Sequence, residues 1–197
     1  MEPSVEELRK NYERYDDGKL IRIATEEAAS LRPEALVLIK QVIKERGLSE
    51  NILNAVEAQT KPLDANGLLV YTNLLRNQPC PICNSINQPL NATISATVMS
   101  FVIITNYSKE LKIACPTCLD KQNNNAMLKS AMLGWWGLPW GIIRTPQALI
   151  LNNKMKRQNH IPEANNLLKA YILNNIGRIE AVKNSPEQLR LLIQYTR

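Results

Sequence analysis

A single phenylalanine, a single histidine and only 5% aromatic residues occur in this 197-residue chain. With so few rings, Leu, Ile, Val and Ala have to fill the core, a composition that suits helical packing and disfavours all-β architectures. Long hydrophobic runs are missing too. The longest uncharged apolar segment, Ala131 to Ile143, falls short of the ~20 residues that cross a bilayer and is broken by Gly134, Gly137, Pro139 and Gly141. Met1 to Lys10 is charged throughout and lacks the apolar stretch of a secretory signal. The expectation is a soluble, cytoplasmic protein. The lone histidine, His160, lies between Lys154-Met155-Lys156-Arg157 and Pro162 and is expected in a surface loop. No nucleophile, oxyanion donor or glycine-rich phosphate loop is marked beside it, so the chain is not expected to be an enzyme. Asp16-Asp17 and Glu26-Glu27 fall on predicted helix ends and faces, where carboxylates serve as solvated charges or dipole partners.

Hydrophobic residues make up 45% of the chain, enough for a packed core. Ser4-Val5-Glu6-Glu7 has capping-box spacing and opens a helix carrying Val5, Leu8, Tyr12 and Tyr15. A second helix places Leu20, Ile23 or Ala24, Ala28 and Leu31 on one face, and a third runs from Pro33 to a left-handed cap at Gly47. Ser49 caps a fourth, which Thr60-Lys61-Pro62 closes; a connecting helix follows near Leu68 to Arg76. Ala92 to Thr105 is rich in Thr, Val and Ile and reads as a long strand. Asn106 to Glu110 then supplies a turn, and Leu111 to Ala114 a returning strand. After a polar Gln122-Asn123-Asn124-Asn125 stretch, helical signals resume near Thr145-Pro146, at Pro162-Glu163 as far as Gly177, and at Ser185.

Cys80-Pro81-Ile82-Cys83 and Cys115-Pro116-Thr117-Cys118 repeat one spacing, 31 residues apart. Two residues between cysteines let a tight knuckle turn both sulfurs toward one ion, and two knuckles supply the four thiolates of a closed tetrahedral zinc site. The predicted hairpin between them can bring the chain back to its start. In a reducing cytoplasm such pairs favour metal over disulfides. Two readings share the same thiols: a Cys-Pro-x-Cys pair that cycles between dithiol and disulfide at a helix N-terminus, and an iron–sulfur centre. The mirrored spacing favours zinc.

All three tryptophans, Trp135, Trp136 and Trp140, fall within six positions among three glycines and a proline. They form either a compact turn packed against the cysteine site or an exposed surface for protein, lipid or stacked bases. Packing is the favoured expectation, with Trp136 and Trp140 mainly structural and Trp135 partly exposed. Charge is uneven as well. Residues 1–60 hold nine Lys/Arg against twelve Asp/Glu, and residues 121–197 hold eleven against three. A basic C-terminal part can face nucleic acid or anionic membrane, or simply complement the acidic part of its own chain.

The paired knuckles Cys80, Cys83, Cys115 and Cys118, the segment Gly134 to Gly141 and Thr145-Pro146 resemble a poorly characterised group of bacterial zinc-ribbon proteins. The resemblance spans residues 78–152. Leu31-Arg32-Pro33-Glu34-Ala35-Leu36 and Arg46-Gly47-Leu48 are similar to small bacterial helical modules. Neither likeness carries an assigned activity. What it implies is a bacterial modular protein with a metal-binding centre.

The expected fold class is α+β: mostly helical, with a four-cysteine zinc ribbon containing a β-hairpin. Three regions are expected: an acidic helical module over 1–60, a linker helix and ribbon over 61–120, and a Trp-rich turn with basic helices packed on the ribbon over 121–197. The expected function is a non-enzymatic protein-interaction or scaffold role with one structural Zn2+ on Cys80, Cys83, Cys115 and Cys118 and a protein partner. The alternatives are nucleic-acid binding through the basic C-terminal region and peripheral membrane association through the tryptophans.

Overall fold

The computed structural model describes residues 4–196. It is α+β in content: helices dominate, and one two-stranded antiparallel hairpin lies in the middle of the chain. No helix among the described residues is long and apolar enough to cross a membrane. The chain divides into two compact units, Met1–Val70 with Tyr171–Leu189, and Tyr71–Ala170 with Arg190–Arg197.

The first unit is helical. Helix α1 (Val5–Arg14) starts with the full capping box of Ser4 and Glu7, and α2 (Asp17–Arg22) is capped by Asp16. A π-turn and a short 3-10 turn extend α2 to Ser30. Pro33 opens α3 (Pro33–Glu45), and Ser49 caps α4 (Glu50–Thr60). Gly47, at φ +64°, ends α3 in a left-handed cap; its N–H donates to Lys44 O and the Leu48 N–H to Ile43 O. Leu20, Ala24, Ile39, Ile43 and Val56 are fully buried together in one core cluster. Residues 171–189 contribute the end of α8 (Asn166–Asn174) and α9 (Ile176–Val182), whose Ala181 packs against that cluster. Gly177 lies in the first turn of α9 and is not a helix stop. Its close neighbours explain the residue: a Cβ there would come within 2.4 Å of Thr25 O. Arg178 of α9 pairs with Glu26 at 3.5 Å, and Lys183 with Glu180, so part of the C-terminal positive charge meets acids within this unit.

The second unit is built on the hairpin. Strands β1 (Asn91–Phe101) and β2 (Ile104–Ala114) pair from Asn91↔Ala114 to Phe101↔Ile104. The turn is therefore Val102-Ile103, not the predicted Asn106 to Glu110. With the paired arms of equal length, the reversal must fall at their midpoint, and Val102 takes a positive φ of 53° to make it.

Helices α6 (Pro116–Leu133) and α7 (Trp140–Asn159) lie along β1. The Asn run, read from sequence as a break, is inside α6, and α7 begins at Trp140 with Pro146 in its interior. Tertiary packing overrides the weak helical propensity of both segments. Ala96, Val98 and Ala148 form the apolar seam between β1 and α7, with Tyr107 and Leu151 against it.

The free edge of β1 is closed by side chains. Asn165 Nδ2 donates to Ala92 O, Asn123 Nδ2 to Ile94 O at 3.3 Å, and the Val98 N–H donates to Ser130 Oγ at 3.0 Å. Asn152 accepts from the Ala96 N–H and donates to Ala96 O. Buried polar residues thus take the place of a third strand, as unpaired backbone groups require.

Candidate metal centre

Helix α5 (Ala65–Arg76) leads into the first cysteine pair. The loop after it is closed at its base, where the Leu90 N–H donates to Arg76 O at 2.9 Å. Arg76 is itself buried, and its guanidinium donates to Pro162 O at 2.6 Å. Within the loop, the Cys80 N–H donates to Ser85 O and the Asn84 N–H to Cys80 O. Asn84 adopts φ +60°, a conformation asparagine tolerates, and this tight turn aims both thiols to one side. The guanidinium of Arg190 donates to Asn84 Oδ1 and braces the turn.

The second pair is built differently. Strand β2 delivers Cys115 in extended conformation as the N-cap of α6, Pro116 occupies the first helical position, and Cys118 follows in the first turn. A helix N-terminus carries partial positive charge and favours thiolates beside it.

All four Sγ atoms lie within 4.8 Å of one another, and all four cysteines are free thiols. Cys83 Sγ and Cys115 Sγ are 3.7 Å apart. A tetrahedral ion bound at about 2.3 Å by four thiolates separates its sulfurs by about 3.8 Å, so the cluster has the dimensions of a metal site. The four cysteines could hold a metal ion. Cys80 and Cys115 are buried, Cys118 is partly buried and Cys83 is exposed.

Burial pushes the Cys80 thiol up, but hydrogen bonds from the backbone N–H groups of Cys115, Cys83 and Ile82 outweigh it and bring it down to about 7. The Cys115 N–H reaches Cys80 Sγ at 3.4 Å. Burial raises the Cys115 and Cys118 thiols, and for Cys118 the hydrogen bonds of its sulfur neighbours push the same way. Four thiols crowded this closely resist ionising together unless a cation neutralises them.

No family model, curated protein or solved structure matches the chain.

The tryptophans depart from expectation. Trp135 is the least exposed at 44%, Trp140 is 55% exposed and Trp136 71% exposed. Glycine explains why the loop is nevertheless tightly held. A Cβ on Gly141 would lie 2.4 Å from Gly134 O, and one on Gly137 2.4 Å from Thr105 Oγ1, so the loop backbone sits directly on α6 and the hairpin and its rings project outward.

His160 follows the end of α7, where its Nε2 is 2.8 Å from Asp120 Oδ2. Asn159 Nδ2 donates to Asp120 Oδ1 at 2.9 Å. Burial alone would raise the Asp120 carboxyl, but hydrogen bonds from His160 and Asn159 hold it below the usual carboxylate range. This arrangement anchors the end of α7 to α6.

Sequence reasoning found the four cysteines but missed the residues that shape their site, Asn84 and Arg190, and the helical start at Cys115. Pro116 was the available signal for that start, since proline suits the first position of a helix. Asn123 and Asn152 gave no signal, because their role depends on a strand edge distant in sequence.

Proposed function

We propose that Cys80, Cys83, Cys115 and Cys118 bind one structural zinc ion and that the chain is a non-enzymatic binding protein whose metal-stapled hairpin serves as a scaffold. The observation that carries the reading is the convergence of two Cys-Pro-x-Cys turns into one group of four free thiols. A site with four protein thiolates leaves no coordination position for substrate water, so the metal acts by holding structure. The cluster ties the loop after α5, the end of β2 and the start of α6 to one point, which fixes the base of the hairpin. Zinc suits four thiolates at this spacing, and its tetrahedral preference imposes no further ligand.

The charge distribution favours a scaffold over a nucleic-acid binder. Arg144 sits near the start of α7, its guanidinium 5.3 Å from the centre of the Tyr107 ring. Lys154, Lys156 and Arg157 lie ten or more residues further along α7, about 15 Å or more away at 1.5 Å per residue. At about 100° per residue they also point to different sides of α7, which counts against one phosphate-tracking face.

Elemental analysis of purified protein tests the proposal. The expected result is one zinc per chain, with Cys80→Ala losing the metal and unfolding the hairpin. Metal-free, folded protein with four freely titratable thiols would contradict it. Reversible formation of a Cys115–Cys118 disulfide in the native chain would support the redox alternative instead.

A further inference from the structure

The strongest unassigned feature is the end of the second unit where the hairpin turn meets the tryptophan loop. Phe101 is 79% exposed and Ile103 80% exposed; Val102, Ile104, Trp136 and Leu138 are exposed around them. Folded proteins seldom leave so many large apolar groups together in water without a use for them. The turn and the loop are fastened to each other: Val102 bridges Gly137, and the Leu138 N–H donates to Val102 O at 3.3 Å. The Trp136 indole N–H donates to Met132 O at 3.0 Å. The projecting backbone is thus hydrogen-bonded at these points, which a nonpolar medium demands.

The charges nearest this end are cations, and Glu110, the exposed acid that follows Lys109, is paired with Lys112 at 2.8 Å. No Asp, Glu, Lys or Arg occurs between Arg76 and Lys109, or between Lys129 and Arg144. The first charged residues met on leaving the apolar end are therefore Lys109 on β2, Lys129 on α6 and Arg144 on α7, all cations. They stand at nearly one level: Val98 pairs with Tyr107 in the hairpin register, the Val98 N–H bonds Ser130 next to Lys129, and Lys109 and Arg144 both approach the Tyr107 ring. Thr105, Asn106, Tyr107, Trp140 and Arg144 line an open groove of about 490 Å³ at that level. Four residues of extended strand separate Ile103 from Tyr107, about 13 Å. That depth fits within one hydrocarbon leaflet, about 15 Å thick in a bilayer whose core is about 30 Å.

We infer that this end of the second unit inserts into one leaflet of a membrane containing anionic lipid, with Phe101, Ile103, Trp136 and Leu138 among the acyl chains and Lys109, Lys129 and Arg144 at the phosphates. The inference names the partner of the scaffold proposed above and rests on that reading. A ring of cations directly behind an apolar wedge, with tryptophan between, complements the headgroup layer of an anionic bilayer. A protein groove would not require the cations to share one level. The Arg144 groove beside Trp140 and Tyr107 offers a lipid phosphate a guanidinium and aromatic edges at the interface.

Flotation of the zinc-loaded full chain with phosphatidylcholine vesicles, with and without phosphatidylglycerol, tests it. The wild type floats with the anionic vesicles, its tryptophan emission shifts to the blue, and added salt weakens binding. The double variant Phe101→Ser/Ile103→Ser, changed at exposed positions, keeps its zinc and melting transition and loses binding on the order of a hundredfold. Lys109→Gln and Lys129→Gln each weaken binding about fivefold. A zinc-loaded wild type that stays in the aqueous phase, or a double variant that still floats, overturns the inference. So does a wild-type dimer that the double variant dissolves while neither binds vesicles, since the surface is then an interface between copies. Zinc per chain, measured on the same samples, keeps the two readings apart. Flotation by zinc-free chains contradicts the metal and supports the membrane, whereas zinc-loaded chains without flotation do the reverse.

Discussion

The side-chain amide of Asn152 pairs with the backbone of Ala96 as a neighbouring strand would, Oδ1 accepting the N–H at 3.1 Å and Nδ2 donating to the C=O at 2.7 Å. Asn123 Nδ2 donates to the same Asn152 oxygen at 3.1 Å, so one buried amide serves β1 and α6 together. A two-stranded hairpin is marginal alone in water, and this network lets helices supply what a third strand normally does. The hairpin is held at both ends by different chemistry: thiols at its base, and glycine contacts and hydrogen bonds at its turn.

Replacing Asn152 by Leu should therefore destabilise the protein by about 3 kcal/mol, because the Ala96 N–H and C=O and the Asn123 amide all lose a partner inside the fold. Urea unfolding measures it. A loss below about 0.5 kcal/mol, in the range of ordinary surface changes, would mean the edge of β1 is satisfied some other way.

The tryptophan loop should respond in reverse to what its residue types suggest. Gly141→Ala forces a methyl group toward Gly134 O and should cost about 1–3 kcal/mol. Trp136→Ala removes a ring that is mostly in solvent and should change stability by less than about 0.5 kcal/mol. Thermal melts of the two variants check the pair, and the opposite order would contradict the placement of the loop.

That reversal shows where the sequence was readable and where it was not. The capping box at Ser4, the helix start at Pro33 and the cap at Gly47 were legible because their partners lie within a few residues. The cysteine pairs were legible because their spacing repeats. The turn was not, since the alternation of Ile94, Ala96, Val98 and Ser100 continues into Val102 and Ile104, and Asn106 to Glu110 has the residues of a turn. Its position follows from register, which Asn91↔Ala114 sets at the other end of the hairpin. The direction of the tryptophans was hidden for a related reason: it follows from where Gly137 and Gly141 touch Thr105 and Gly134, a tertiary fact. The return of residues 171–189 to the first unit likewise has no local signature.

Asp120 should titrate below an unfolded aspartate, whose value is about 3.9. A group with a depressed folded pKa stabilises the fold above its unfolded pKa, and that contribution disappears as pH falls through the folded value. Asp120→Asn should thus be destabilised at neutral pH, and its difference from the wild type should shrink as pH falls below about 4. The wild-type carboxyl carbon, followed by NMR in acid, should show a low midpoint. A midpoint at or above 3.9 would remove the anchoring role given to His160 and Asn159.

Acid should also release the proposed zinc, since protons compete for the thiolates, and chelator at neutral pH should do the same more slowly. The two thiols of the first knuckle should not be equal. Cys80 is buried and receives the Cys115 N–H, whereas Cys83 is exposed. Cys80→Ser should abolish metal binding and cooperative unfolding, and Cys83→Ser should leave a weaker, three-thiolate site. Zinc content and urea unfolding of both variants read this difference; equal losses would show that burial does not rank the ligands.

X-ray absorption at the metal edge reads the ligands of the four-cysteine centre. The edge should be that of zinc, with four sulfur neighbours at about 2.3 Å and no oxygen or nitrogen in the coordination shell. A shell containing oxygen or nitrogen, an iron edge with a metal–metal distance, or a preparation that folds with no metal at all would contradict the proposed zinc site.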